Sequence, residues 1–214
     1  MNVSPAKENM LKKIRKALTQ STPLPFPLSE GSSSVFQPST QELEVEFAEQ
    51  FSKLLGKFAY CADSDDLIKQ LGLLVSLKAW KNVYCQEAKL GKILAPSVQG
   101  AYHTDIASCD VAITGCECLV ARTGSIILSS GLPGGRTTSV YAPIHICIAG
   151  VNQLVYDIRD GLQFMKEKYG QQLPSVISLA TGPSRTADIE KTLVVGVHGP
   201  KEVYLFLVED LPSF

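Results

Sequence analysis

Eight short apolar runs, separated by turns and by segments with helical spacing, constrain the fold of this chain more than any other feature. Each run is three to six residues long, which is typical of buried strands bounded by turns. Because strands alternate with helices, the sequence predicts an α/β protein with a mixed, mostly parallel sheet layered with helices. The eight runs cover residues 58–61, 82–85, 109–114, 119–121, 126–128, 144–148, 176–179 and 203–208.

Helical spacing predicts three helices, one ahead of the first run and two in intervals between later runs. A first helix is expected from Thr40 onward, and a second after Asp63 or Ser64, either of which can cap it. A third is expected over residues 152–169, with Asn152 at its start and Gly170 at its end. The predicted inward positions are Leu43, Phe47, Phe51 and Leu54, then Leu67, Leu71 and Leu74, then Leu154, Ile158, Leu162, Met165 and Tyr169.

Residues 1–38 differ in composition from the rest and predict an N-terminal helical arm ahead of an α/β domain over residues 39–214. A helix over residues 4–19 is followed by a Pro/Ser-rich linker. Such a helix most often packs on its own or a sister subunit, which predicts a homo-oligomer; the alternatives are a membrane surface or an acidic partner. Its apolar side carries Met10, Leu11, Ile14 and Leu18, and its basic side Lys7, Lys12, Lys13, Arg15 and Lys16.

The charge balance excludes several classes of protein. With 214 residues and a formal net charge of −1, the chain predicts neither a nucleic-acid-binding nor a membrane-surface protein. Its longest stretch without Asp, Glu, Lys or Arg, residues 137–156, contains Pro143 and Gly150, so no membrane span is expected. The N-terminus shows no secretory signal, and these features together predict a cytoplasmic protein.

The segment 181–190 is the first candidate site, because it follows a predicted strand and open α/β sheets bind ligands at the carboxyl ends of their strands. Ser184 or Thr186 would cap a short helix near Ala187, and Arg185 beside that end would hold a carboxylate or phosphate, with Gly182 in the turn. The alternative is a structural cap in which Arg185 pairs with Asp188 or Glu190.

Four further residues are candidates for the same site. His198, beside a turn, and Glu117, between two cysteines, are the catalytic candidates. Buried in apolar sequence, Glu117 is expected to be either salt-bridged or a pocket carboxylate with a raised pKa. Arg136, in the loop 131–138, and His145, in a predicted strand, are candidate ligand-binding residues; the alternative for His145 is an interior histidine with satisfied hydrogen bonds.

The six cysteines do not predict a metal centre. Cys109, Cys116 and Cys118 lie close in sequence, but no Cys-x-x-Cys pair is present, and buried, reduced thiols are expected. The sequence identifies no metal and no cofactor.

The segments 181–190 and 196–200, Thr-Gly-Pro-Ser-Arg-Thr-Ala-Asp-Ile-Glu and Gly-Val-His-Gly-Pro, closely resemble the signature of the LUD domain family. The order of Ile113-Thr114, Ala121 to Ser125 and Pro143 to Ile146 is similar too, in particular to its lactate utilization protein C branch. The resemblance spans roughly residues 40–210 and leaves the N-terminal arm outside it.

The resemblance implies a fold similar to the NagB/RpiA/CoA-transferase superfamily and an association with conversion of L-lactate to pyruvate alongside iron–sulfur partner proteins. This chain resembles the short family members that carry no iron–sulfur cluster motif of their own. Many relatives have an acid where this chain has Arg122, which reverses a charge in the expected pocket region.

Three hypotheses about function follow. The first is an accessory subunit of a lactate-oxidising system that binds a small anionic metabolite or cofactor. The second is a non-catalytic assembly factor for iron–sulfur partner proteins, docked through its basic helix. The third, from superfamily analogy, is a transferase or ligase with Glu117 as carboxylate nucleophile.

Overall fold

The computed structural model describes residues 5–19, 38–39, 41–98, 102, 104–189 and 192–212. The chain divides into two units, Met1–Pro38 and Ser39–Phe214. In the first unit, α1 (Pro5–Leu18) presents exposed Met10, Leu11 and Ile14 side chains. The linker predicted after this helix, like the side chain of Leu18, lies outside the described residues. None of the helices in the described ranges is long and apolar enough to cross a membrane.

The second unit is a mixed α/β structure, as predicted. Its helices are α2 (Leu43–Lys53), α3 (Ser64–Lys78), α4 (Ala88–Val98), α5 (Thr138–Tyr141) and α6 (Ile158–Tyr169). Its strands are β1 (Lys57–Asp63), β2 (Val83–Tyr84), β3 (Val111–Thr114), β4 (Cys118–Val120), β5 (Ser125–Ser129), β6 (Ile144–Gly150), β7 (Leu154–Val155), β8 (Ile177–Ala180), β9 (Arg185–Ile189), β10 (Thr192–Val195) and β11 (Glu202–Asp210).

The central sheet has five parallel strands in the order β1, β11, β6, β3, β2. Both of its faces are covered, because alternate residues of β6 enter different clusters: Ile146 and Ile148 pack with α3 and α4, whereas Cys147 and Ala149 pack with α2. The prediction that His145 and Cys147 face away from these isoleucines is confirmed. Because all five strands run parallel, their carboxyl ends lie at one edge of the sheet.

A second sheet has four strands in the order β7, β4, β5, β8, and its Leu119 and Ile126 pack in the same cluster as α2. Strand β4 is antiparallel to β5 but parallel to β7, so the sheet is mixed. Helix α6 covers it with the buried side chain of Met165 and with Gly161, where a Cβ atom would lie 2.5 Å from Cδ1 of Ile127.

Helix α6 begins later than the sequence predicts. Residues Val151–Gln153 form a 3₁₀ turn and β7 follows, so Asn152 does not cap the helix. Asp157 does, because its carboxylate accepts from the Arg159 N–H while Asp160 binds the N–H of Asp157. Gly170 ends the helix as predicted, but Leu162 is 41% exposed, contrary to its expected inward position.

Further elements differ from the prediction, β9 and α4 among them. The short helix expected near Ala187 is wrong, because residues 185–189 form strand β9, paired antiparallel with β10. The β-branched residues Thr186, Val194 and Val195 favour that pairing, in which Thr186 lies opposite Val194. The sequence reasoning also missed α4, which buries Leu90, Leu94 and Val98 despite containing a proline.

Candidate functional site

A cleft opens where three parallel strands of the central sheet end. Glu87 follows β2, Gly115 and Cys116 follow β3, and Gln153 follows β6. Because adjacent parallel strands place their carboxyl ends together, these residues meet at one edge, where open α/β sheets bind ligands. We call this space the edge cleft; its volume is about 470 Å³. Its lining residues are Glu87, Ala88, Lys89, Leu90, Gly115, Cys116, Gly131, Leu132, Pro133, Gln153, Lys168 and Tyr169.

Glu117 lies directly behind the wall of the edge cleft. Its side chain is buried, and it accepts hydrogen bonds from Lys168 Nζ at 2.8 Å, from the Tyr169 hydroxyl at 2.8 Å and from the Ser129 hydroxyl. Of the two alternatives that the sequence left open, the salt bridge is therefore the one observed. With donors on both oxygens, Glu117 is placed to hold Lys168 and Tyr169 at the cleft and not to act as an exposed nucleophile.

Glu87 is the carboxyl group that lines the edge cleft itself. It is 7% exposed, and its Oε1 accepts from the Gly115 N–H at 2.7 Å. Burial raises the pKa of Glu87, and the negative charge of Glu117 adds to that rise, whereas the Gly115 hydrogen bond lowers it. The sequence analysis missed this residue; its position directly before α4 and after an apolar strand was the available signal.

Two lysines supply the positive charge of the edge cleft. Lys168 lies near the end of α6, and the ammonium group is within 5.5 Å of the centre of the Tyr169 ring. Burial lowers the pKa of Lys168, but the hydrogen bond to Glu117 raises it, and the net direction is upward. Lys89 lies in the first turn of α4 and is exposed. One acid, Glu87, and two bases thus line the cleft, with Glu117 behind its wall.

His145 is buried in β6 and does not line the edge cleft. Its Nε2 lies 2.8 Å from the Thr114 hydroxyl oxygen, and burial lowers the pKa of His145 to about 4. The imidazole is therefore neutral near pH 7. This arrangement matches the alternative of an interior histidine with a hydrogen-bonded partner.

The candidates in segment 181–200 lie apart from the edge cleft. Gly182 has φ +79° and packs against the carbonyl oxygen of Leu54, while Ser184 exchanges backbone hydrogen bonds with Pro200 and Gly196. Arg185, at the start of β9, and His198 are exposed, and neither they nor Thr186 line the edge cleft. The side chains of Asp188 and Glu190, the expected partners of Arg185, lie outside the described residues.

Two further arginines also lie away from the edge cleft. Arg136 donates to the Ser175 hydroxyl at 2.6 Å, although its loop contributes Gly131, Leu132 and Pro133 to the lining. Arg122 binds the carboxylate of Asp157 at the start of α6 and does not line the cleft. The charge reversal at Arg122 therefore changes a surface ion pair, which corrects the expectation that it changes the pocket.

The thiols are free, as expected, and five of the six cysteines are buried. Cys116 lines the edge cleft and contacts Cys147 behind it; the hydrogen bond from that contact and burial raise the pKa of Cys116. Within the described ranges, no group of three or more His, Cys, Asp or Glu residues is placed to hold a metal ion.

Comparison with known proteins identifies the family. A family model described as the LUD domain matches residues 39–208, which is most of the chain. The chain therefore belongs to the LUD domain family. A crystal structure of a DUF162 family protein from Deinococcus radiodurans has the same fold, with a TM-score of 0.56 and 20% identity over 80% of this chain and 99% of that one.

Several curated relatives are similar over part of their length. Lactate utilization protein C of Halalkalibacterium halodurans is 38% identical over 47% of this chain and 45% of that protein. The protein of the same name from Shouchella clausii is 34% identical over 63% of each chain. An uncharacterized protein of Neisseria meningitidis is 32% identical over 46% of this chain. The chain spans about half the length of these relatives.

Proposed function

We propose that this member of the LUD domain family acts in lactate utilization, as an accessory subunit that binds a small carboxylate in the edge cleft. The relatives named lactate utilization protein C support a role in lactate utilization. The charged residues that line the edge cleft support a carboxylate ligand. The observation that carries the proposal is the meeting of Glu87, Lys89 and Lys168 where the central strands end. The proposed site is therefore the edge cleft and not the segment 181–190. None of the residues that line the cleft was selected from the sequence as a ligand-binding or catalytic candidate; Glu117, which was, lies behind the wall.

The lining chemistry suits a small carboxylate better than an apolar ligand. Lys89 and Lys168 offer ammonium donors. Tyr169 and Gln153 also line the cleft, where the Tyr169 hydroxyl donates to Glu117 and the Gln153 amide donates to the Cys116 carbonyl. Hydrogen bonds between ammonium and carboxylate groups are roughly twice as strong as neutral ones. Iron–sulfur proteins are the proposed partners, since the resemblance associates the family with them, and we place the complex in the cytoplasm.

Binding of L-lactate and pyruvate, measured by isothermal titration calorimetry, tests this proposal. We expect Lys89→Ala to weaken binding by about tenfold, as loss of one charge-assisted contact implies. Lys92→Ala is the matched control, because Lys92 is exposed on the same helix but does not line the edge cleft. Arg185→Ala distinguishes the edge cleft from the segment 181–190. If Arg185→Ala removes binding while Lys89→Ala does not, the ligand binds at Arg185 and the edge-cleft proposal is wrong.

A second candidate function is a non-catalytic assembly factor, and the exposed apolar side chains of α1 favour it. Met10 is 63% exposed beside a row of basic residues, so the helix is suited to a second copy of the chain or to an acidic partner protein. Deletion of residues 1–38 tests this role. Loss of the oligomer or complex, with the circular dichroism of the domain unchanged, supports it; a complex retained by the shortened chain contradicts it.

A further inference from the structure

The formal charge of the edge cleft depends on one proton. Glu87 and Lys89 line the cleft, as does Lys168, and Glu117 binds Lys168 directly behind the wall. With all four groups ionised the cleft is neutral. With a proton on Glu87 it carries one positive charge, which a bound monocarboxylate neutralises.

The surroundings of Glu87 favour the protonated form. Its side chain is more than nine-tenths buried, and only Oε1 has a hydrogen-bond donor among the described residues, the Gly115 N–H. Glu117 repels its charge from the end of β3. A carboxyl group that is withdrawn from water beside a second carboxylate retains its proton to higher pH, because desolvation and repulsion both disfavour the anion.

The other titratable groups near Glu87 lie on the segment before α4, on α4 itself, after β3 and on α6. Lys89 lies in the first turn of α4, directly after Glu87 and Ala88. The Cys85 thiol donates to the Glu87 carbonyl oxygen at 3.7 Å. Cys116 follows β3 and lines the same cleft, and Lys168 and Tyr169 lie on α6. The two lysines oppose protonation of Glu87, but Lys168 is already paired with Glu117 and Lys89 is exposed to water, so both act weakly on Glu87.

We propose that Glu87 binds the ligand as a carboxylic acid, donating its proton in a hydrogen bond to the carboxylate of a small monocarboxylate, while Lys89 and Lys168 balance the remaining charge. This inference rests on the proposed function and adds to it that ligand and proton bind together. The same charge count makes the edge cleft selective: a dicarboxylate of similar size leaves one negative charge unbalanced and binds more weakly.

Calorimetry of L-lactate binding between about pH 5.5 and pH 8.5, in two buffers with different ionisation enthalpies, tests the proposal. L-Lactate stays ionised throughout this range, so proton uptake reports the protein. We expect the affinity to fall by up to tenfold per pH unit above the pKa of Glu87, with uptake of close to one proton per ligand. The wild-type measurement needs no variant and stands whether or not a Glu87 variant folds.

Glu87→Gln identifies the group, because the amide donates a hydrogen bond but carries no titratable proton. We expect this variant to bind L-lactate with an affinity that does not change with pH and without proton uptake; a variant that keeps the wild-type pH profile overturns the assignment to Glu87. Wild-type binding without proton uptake overturns the coupling but leaves the proposed function standing. Absence of binding by L-lactate and pyruvate at every pH overturns both.

Discussion

The ammonium group of Lys168 lies 2.8 Å from Oε2 of Glu117, a carboxylate whose side chain has no exposed surface. The lysine itself is about half exposed, so the pair joins a surface cation to a buried anion. Removing the lysine from such an ion pair destabilises the fold, because the carboxylate then stays buried without its charge partner. The pair therefore fixes the end of α6 against the segment between β3 and β4.

Lys168→Met is expected to lower the free energy of unfolding by about 1–3 kcal/mol, less than for a fully unpaired charge, since Ser129 and Tyr169 still donate to Glu117. Urea denaturation measures the change. Lys166→Met, at an exposed position on the same helix, is the control and should change stability little. Adding Glu117→Gln to Lys168→Met should recover part of the loss; a double variant less stable than the single one would contradict this account.

Gly124 and Gly135 both have φ +59°, but their surroundings differ. A Cβ atom on Gly124 would lie 2.5 Å from the backbone nitrogen of Phe51, whereas nothing lies within 4 Å of one on Gly135. Gly135→Ala should therefore cost about 1 kcal/mol, for the left-handed backbone alone, and Gly124→Ala at least about 2 kcal/mol more. Thermal unfolding of the two variants compares them; equal losses would show that α2 moves aside without cost.

Burial of His145 predicts a loss of stability in mild acid. The pKa of His145 is about 4 in the folded protein, below that of an unfolded chain, so the unfolded state binds the proton first. The free energy of unfolding should fall as the pH drops from about 6.5 to 4, by up to about 3 kcal/mol from this group. Chemical denaturation of the wild type and of His145→Gln over this range isolates the effect, and parallel curves would argue against it.

Asp157 is expected to matter more for stability than its partner Arg122. The Asp157 carboxylate caps α6 as well as binding Arg122, so Asp157→Ala should cost about 1–2 kcal/mol. Arg122→Ala removes only a partly exposed ion pair and should cost less than about 1 kcal/mol. Denaturation at low and high salt measures both; a larger effect for Arg122 would assign it a role beyond this pair.

Much of the fold could be predicted because its signals are local. The apolar run 144–148 alternates so that Ile146 and Ile148 share a face, and this spacing alone fixes a strand buried on both sides. The cap at Asp63, whose carboxylate accepts from the Asp66 N–H at 2.8 Å, is equally local. The motif in residues 181–190 identified the family, which the match over residues 39–208 confirms.

The site depended on contacts that no local spacing encodes. Glu87 binds the backbone 28 residues away, and Glu117 binds a lysine 51 residues away. The segment 185–195 carried hydroxyl residues suited to a helix cap and β-branched residues suited to a strand, and the pairing of β9 with β10 decided between them. The sequence by itself determined the strands of the central sheet and the family. Tertiary structure alone decided which charges meet, because parallel strands bring together carboxyl ends that are far apart along the chain.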